Sequence, residues 1–142
     1  MATTSTARTH WQGSLTEGSG TTELTTSGAA TFDVTWKARA EAGSGTTNPE
    51  ELLGAALATC YSMALSNALT SAGNPPTSLD TTVGVTFKPG TGITGATINV
   101  VGSVPGITAE TFKEFAEKTK TECPVSQALS GIEKTLEVSF QS

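Results

Sequence analysis

Histidine occurs once in this 142-residue chain, at His10, and cysteine twice, at Cys60 and Cys123. One histidine with no Cys/His cluster argues against a zinc site. A serine or cysteine hydrolase needs a base beside its nucleophile, and His10 stands in a strand-like N-terminal segment, which argues against that chemistry. No Gly-x-Gly-x-x-Gly follows a strand, no phosphate-binding loop is present, and Cys-x-x-Cys is missing, so nucleotide-binding and thioredoxin-like readings fail. Basic residues are scarce: eight Lys and Arg against thirteen Asp and Glu give a net charge of −5. With no basic block, neither nucleic acid nor an anionic membrane surface is an expected partner. Met1 to His10 has no apolar stretch of the kind a secretory signal carries. The longest apolar run, 52–65, is short for a bilayer and is interrupted by Gly54, Thr59 and Ser62. These absences predict a soluble, cytoplasmic protein, and in that compartment two cysteines are more often transient or catalytic than a permanent staple.

What the chain does have is Thr, Ser and Gly, which suit short strands and turns. His10–Leu15, Thr21–Thr26 and Ala30–Trp36 read as strands, with Phe32, Val34 and Trp36 on one face of the third. A glycine-rich loop, 42–47, precedes a helix start at Asn48-Pro49-Glu50-Glu51. Asn48 suits the N-cap and Pro49 the first helical position, and Glu51 at N3 can close a capping box. Small and apolar residues cover nearly every side of the next twenty positions, as in a helix buried all round, and Gly73 ends it. Strands near Asp80–Phe87 and Ile93–Val104 follow, the second with Ile98, Val100 and Val104 in phase. A second helix starts at Ala109, capped by Thr108, with Phe112, Phe115, Ala116 and Thr119 on one stripe. A short helical turn begins after Cys123, and Ile132–Phe140 is the last strand. The order β-β-β-α-β-β-α-β is an α+β fold in one domain.

Four residues are candidates for chemistry. Cys60 lies in the apolar helix, either as a small core side chain or as a reactive thiol. Cys123 precedes Pro124, which makes it the N-cap of the short helix, and helix N-termini acidify thiols. Arg39, one of only two arginines, stands at the end of the third strand, either as a solvated strand end or as a guanidinium that holds a thiolate and polarises a peroxide oxygen. Glu50 can pair with Arg39 and orient it, or serve only the positive end of the helix. From the residues alone the cysteines are either a structural disulfide or a redox couple. An apolar helix can equally form the wall of a small-ligand pocket.

The stretches Thr47-Asn48-Pro49-Glu50-Glu51-Leu52-Leu53-Gly54-Ala55-Ala56, Ala58-Thr59-Cys60-Tyr61-Ser62-Met63-Ala64-Leu65 and Cys123-Pro124-Val125-Ser126-Gln127 resemble the OsmC/Ohr family, the osmotically inducible and organic hydroperoxide resistance proteins. The similarity runs from about His10 to the C-terminus. It implies a single OsmC-like domain over 1–142, with 1–9 a flexible N-terminal segment. It also implies a cysteine-based peroxidase for organic hydroperoxides, of peroxiredoxin type and without metal or haem. Cys60 is then peroxidatic and Cys123 resolving, joined by a redox-active disulfide. Glu50 matches the family's glutamate after Asn-Pro. Arg39 matches the arginine of the OsmC branch, whereas Thr16–Glu23, where the Ohr branch carries its own, has none. A lipoyl-type dithiol reductant and an intertwined homodimer belong to the same implication. The rival readings are a non-catalytic domain stapled by Cys60–Cys123 and a protein that binds a small apolar ligand.

Overall fold

The computed structural model describes residues 1–141. The chain forms two compact units, Met1–Leu52 and Leu53–Ser142, each with its own three-stranded sheet. The α+β order read from the sequence holds, with one short helix added.

In the first unit β1 (Arg8–Gln12), β2 (Ser19–Glu23) and β3 (Thr31–Val34) pair antiparallel in chain order. β3 ends two residues earlier than expected. Thr35 becomes an N-cap, its hydroxyl accepting from the Ala38 amide at 3.2 Å, and α1 (Trp36–Ala40) follows. Trp36 therefore leaves the face it was expected to share with Phe32 and Val34, and Arg39 stands on a helical turn rather than at a strand end. The loop after α1 folds back on the sheet, where Thr35 and Thr46 share a 2.9 Å hydroxyl hydrogen bond and Val34 bridges Thr47.

The helix α2 (Pro49–Ser71) begins as its sequence requires. The Glu51 amide donates to Asn48 Oδ1 at 2.8 Å, the expected cap. The Glu51 carboxylate does not return to the cap amide, however; it accepts from Thr47 Oγ1 at 2.6 Å. At the far end Gly73 takes φ +89, a conformation that only glycine adopts cheaply, and the Asn74 amide reaches back to Leu69 O at 2.9 Å. With 23 residues, α2 is the one helix among those described that is long and apolar enough to cross a membrane by length and composition. It is longer than the apolar run 52–65 within it. Leu57, Tyr61, Leu65 and Leu69, spaced one turn apart, are fully buried in the same core as β5, as in the core helix of a folded domain. The other side is not covered. Ala55, Ala56 and Thr59 are exposed, and Met63 is 69% exposed, because one sheet covers one side of a helix.

In the second unit β5 (Gly92–Ser103) is the central strand, antiparallel to β4 (Ser78–Lys88) and parallel to β6 (Glu133–Gln141). A parallel pair needs a crossover. Here α3 (Ala109–Glu122) and α4 (Pro124–Ala128) supply it. Ile98, Val100 and Val104 are fully buried, as their alternation predicts, and Phe112, Ala116 and Thr119 form the buried stripe of α3 beneath the expected Thr108 cap. Phe112 stacks on Phe140 with ring centroids 5.4 Å apart, and a methyl group at Gly102 would overlap the Phe112 ring. Held by Phe140, that ring has little freedom to move away. Gly102→Ala is therefore expected to destabilise the protein by roughly 3 kcal/mol, the upper range for overpacking. A fall in the urea midpoint at unchanged m-value checks this.

Candidate active site

The first unit assembles an arginine–glutamate pair. The Asn48 side chain clamps the end of α1 to the start of α2, because its Nδ2 donates to Ala38 O at 2.7 Å while its Oδ1 caps α2. That clamp brings Arg39 beside Glu50, whose Oε1 accepts from Arg39 Nε at 2.8 Å. The Glu50 side chain is only 7% exposed, and its Oε2 is buried with no hydrogen-bond partner. A buried carboxylate is tolerated when paired, so Arg39 stabilises Glu50 while Glu50 fixes the plane of the guanidinium. Beside the pair lies a cavity of about 360 Å³ lined by Trp11, Val34, Trp36, Pro49 and Leu52 together with Arg39. An apolar wall with one cation at its edge suits a molecule with a greasy body and a polar head.

The second unit assembles the cysteines. Both are free thiols, Cys60 half-buried and Cys123 fully buried. Cys123 is the joint between two helices: its amide donates to Thr119 O to close α3, and its carbonyl accepts from the Gln127 amide to open α4. The N-cap position expected from Pro124 is therefore occupied by Cys123, but its side chain makes no capping hydrogen bond. The side chain instead lies within hydrogen-bonding reach of Cys60. Burial pushes the Cys60 thiol above its ordinary value of 9.0; a backbone hydrogen bond at Val125 opposes this, and Cys123 raises it further. None of these influences is a cation, so this unit by itself keeps Cys60 protonated near neutral pH. Lys134 closes the segment, its Nζ donating to Leu129 O at 2.8 Å and Ile132 O at 3.3 Å at the end of α4. Among the described residues no group of three or more His, Cys, Asp or Glu is placed to hold a metal ion.

The four residues picked from the sequence thus fall into two pairs, Arg39 with Glu50 and Cys60 with Cys123. Two buried polar residues were not picked: Ser126, whose hydroxyl has no partner, and Tyr61, whose hydroxyl donates to Ala116 O at 2.8 Å. Ser126 carries a readable signal, since it lies three residues after an N-cap cysteine. The contact of Tyr61 spans 55 residues and has none.

Two apposed free thiols in one unit and a guanidinium braced by a buried carboxylate in the other, on an α+β frame, are the features of a thiol-redox protein of the OsmC type. Residues 41–138 match the OsmC family of OsmC-like proteins, and the chain belongs to that family. Peroxiredoxin OsmC of Escherichia coli (strain K12) is 42% identical over 136 residues, covering 94% of this chain and 94% of that protein. Two solved structures share the fold. An organic hydroperoxide resistance protein OsmC from Legionella pneumophila has a TM-score of 0.74 at 23% identity, covering 98% of each chain. An organic hydroperoxide resistance protein from Elizabethkingia anophelis has a TM-score of 0.71 at 28% identity, covering 99% of this chain and 100% of that one.

Proposed function

We propose that this protein is a thiol-dependent peroxidase that reduces organic hydroperoxides to alcohols. The observation that carries the reading is the apposition of two free thiols, one half-buried and open to a peroxide, the other enclosed behind it. The Cys60 thiolate attacks the distal peroxide oxygen, the O–O bond breaks, and the alkoxide takes a proton and leaves as the alcohol. Cys60 is now a sulfenic acid. Cys123 sulfur attacks it, an S–S bond forms, and the hydroxyl leaves with a proton as water. A dithiol reductant, of lipoyl type, returns both thiols by exchange. A cycle that ends in two thiols suits the reducing cytoplasm. The cavity beside Arg39 supports an organic rather than an inorganic peroxide. A structural staple is the weaker reading, because it has no use for two free thiols or for a braced arginine.

Arg39 supplies the cation that Cys60 lacks within its own unit, and we assign it from a second copy of the chain in a homodimer packed through the uncovered face of α2. The consequence is measurable by alkylation. In Arg39→Ala the pH midpoint for Cys60 modification is expected above 9.0, the direction in which burial and then Cys123 push it. In the wild type an adjacent guanidinium lowers it by roughly one to three units. Equal midpoints in the two proteins would remove Arg39 from the site.

Turnover tests the function itself. Catalytic consumption of cumene hydroperoxide with a dithiol present is the expected result. Loss of thiol that stops at one equivalent, with no turnover, favours the staple.

A further inference from the structure

We infer that Tyr61 is a positioning residue for the resolving step, its buried phenol holding α3 at the register that presents Cys123 to Cys60. The inference rests on the peroxidase reading above.

Tyr61 directly follows Cys60 on α2, and its side chain is fully buried. Its hydroxyl crosses the core to Ala116 O on α3 at 2.8 Å. Ala116 lies about two turns before Cys123. The turn between them is itself fixed: buried Thr119 donates through Oγ1 to Phe115 O at 2.8 Å and accepts the Cys123 amide on its carbonyl at 3.0 Å. A continuous path therefore runs from the residue beside Cys60, through one phenol and one helix, to Cys123. Burial, then Glu117 and then Cys123 push the phenol far above the ordinary tyrosine range, so Tyr61 remains a hydrogen-bond donor throughout the cycle.

The chemistry explains why this register matters. Bond formation brings two sulfurs to about 2.05 Å with a narrow torsional range. Cys123 is fully buried and sits at a helix joint, so its sulfur reaches Cys60 only as far as α3 and α4 allow. Attack of peroxide on Cys60 makes no such demand, since its partner arrives from solvent. Loss of the phenol hydrogen bond should therefore slow disulfide formation and spare the first oxidation. A sulfenic acid that waits longer meets a second peroxide and becomes sulfinic acid.

Tyr61→Phe keeps the ring and removes the hydroxyl. The second-order rate of Cys60 oxidation is expected to stay within about twofold of wild type. The peroxide concentration that carries half of Cys60 to sulfinic acid is expected to fall about fivefold, the scale of one lost hydrogen bond. A lowered Tm with that concentration unmoved would leave Tyr61 a purely structural residue and overturn the inference. If the wild type itself forms no Cys60–Cys123 disulfide after one peroxide equivalent, the peroxidase reading fails first. Should Tyr61→Phe not fold, fluorotyrosine labelling of the wild type addresses this site alone, because Tyr61 is the only tyrosine. A ring coupled to Cys123 shifts its fluorine resonance between dithiol and disulfide forms. An unmoved resonance overturns the inference.

Discussion

Replacing Cys60 by serine is expected to abolish peroxide reduction, and replacing Cys123 by serine to leave a single turnover that ends in over-oxidation. The asymmetry follows from burial. Cys60 is half-buried, whereas Cys123 is enclosed between α3 and α4 with no exposed surface. A peroxide reaching the pair from solvent meets Cys60 first. Serine there offers a hydroxyl that stays protonated at neutral pH and is a poor nucleophile without an adjacent base. The only histidine, His10, belongs to the other unit, on exposed β1. In Cys123→Ser the first step proceeds, because its nucleophile is intact, but no second thiol is present to condense with the sulfenic acid. Cys60 then climbs to sulfinic acid as peroxide is added. Mass spectrometry after one and after several peroxide equivalents separates these states. Sulfenic acid trapped mainly on Cys123 in the wild type would reverse the two roles.

The parts of this fold legible in the sequence are those fixed by neighbours in the chain. Asn48-Pro49-Glu50-Glu51 specifies a helix start by cap, ring and charge within four residues, and α2 begins there. Alternation along 93–104 and the helical stripe 112–119 likewise identify which side chains are buried. What escaped is fixed by distant partners. Thr35-Trp36 continues the strand period of β3, and a five-residue helix is too short to show its own, so α1 is determined instead by the Thr35 cap and the return of Thr46 and Thr47. Cys123 was readable as an N-cap from Pro124, yet the partner of its sulfur, Cys60, lies far away in the chain on α2. The elevated thiol of Cys60 is a property of burial, which position in an apolar helix suggests but does not fix. Pairing with Arg39 was one of two roles open to Glu50 in the sequence, and the pair forms at 2.8 Å.

Mixing two inactive variants is expected to restore activity. Glu50 and Cys60 lie on one continuous helix, ten residues apart. At ~1.5 Å per residue their Cα atoms stand about 15 Å apart, and at ~100° per residue they point in different directions. A glutamate has little means of serving a cysteine of its own helix over that span, even through an arginine. The same helix leaves Ala55, Ala56, Thr59 and Met63 uncovered, a strip of small and apolar side chains on which a second copy can pack closely. Twofold pairing would then place Arg39 and Glu50 of one chain beside Cys60 and Cys123 of the other, and conversely. Cys60→Ser retains the arginine pair, and Arg39→Ala retains both thiols. Unfolded together and refolded, they form heterodimers with one complete site and one lacking both contributions. About a quarter of wild-type activity per chain is expected, since half of the dimers are mixed and each mixed dimer carries one working site of two. Differently tagged chains captured in sequence establish that mixed dimers are present. If those mixed dimers show no activity, each site is built within a single chain, and Arg39 acts on the cysteine of its own subunit.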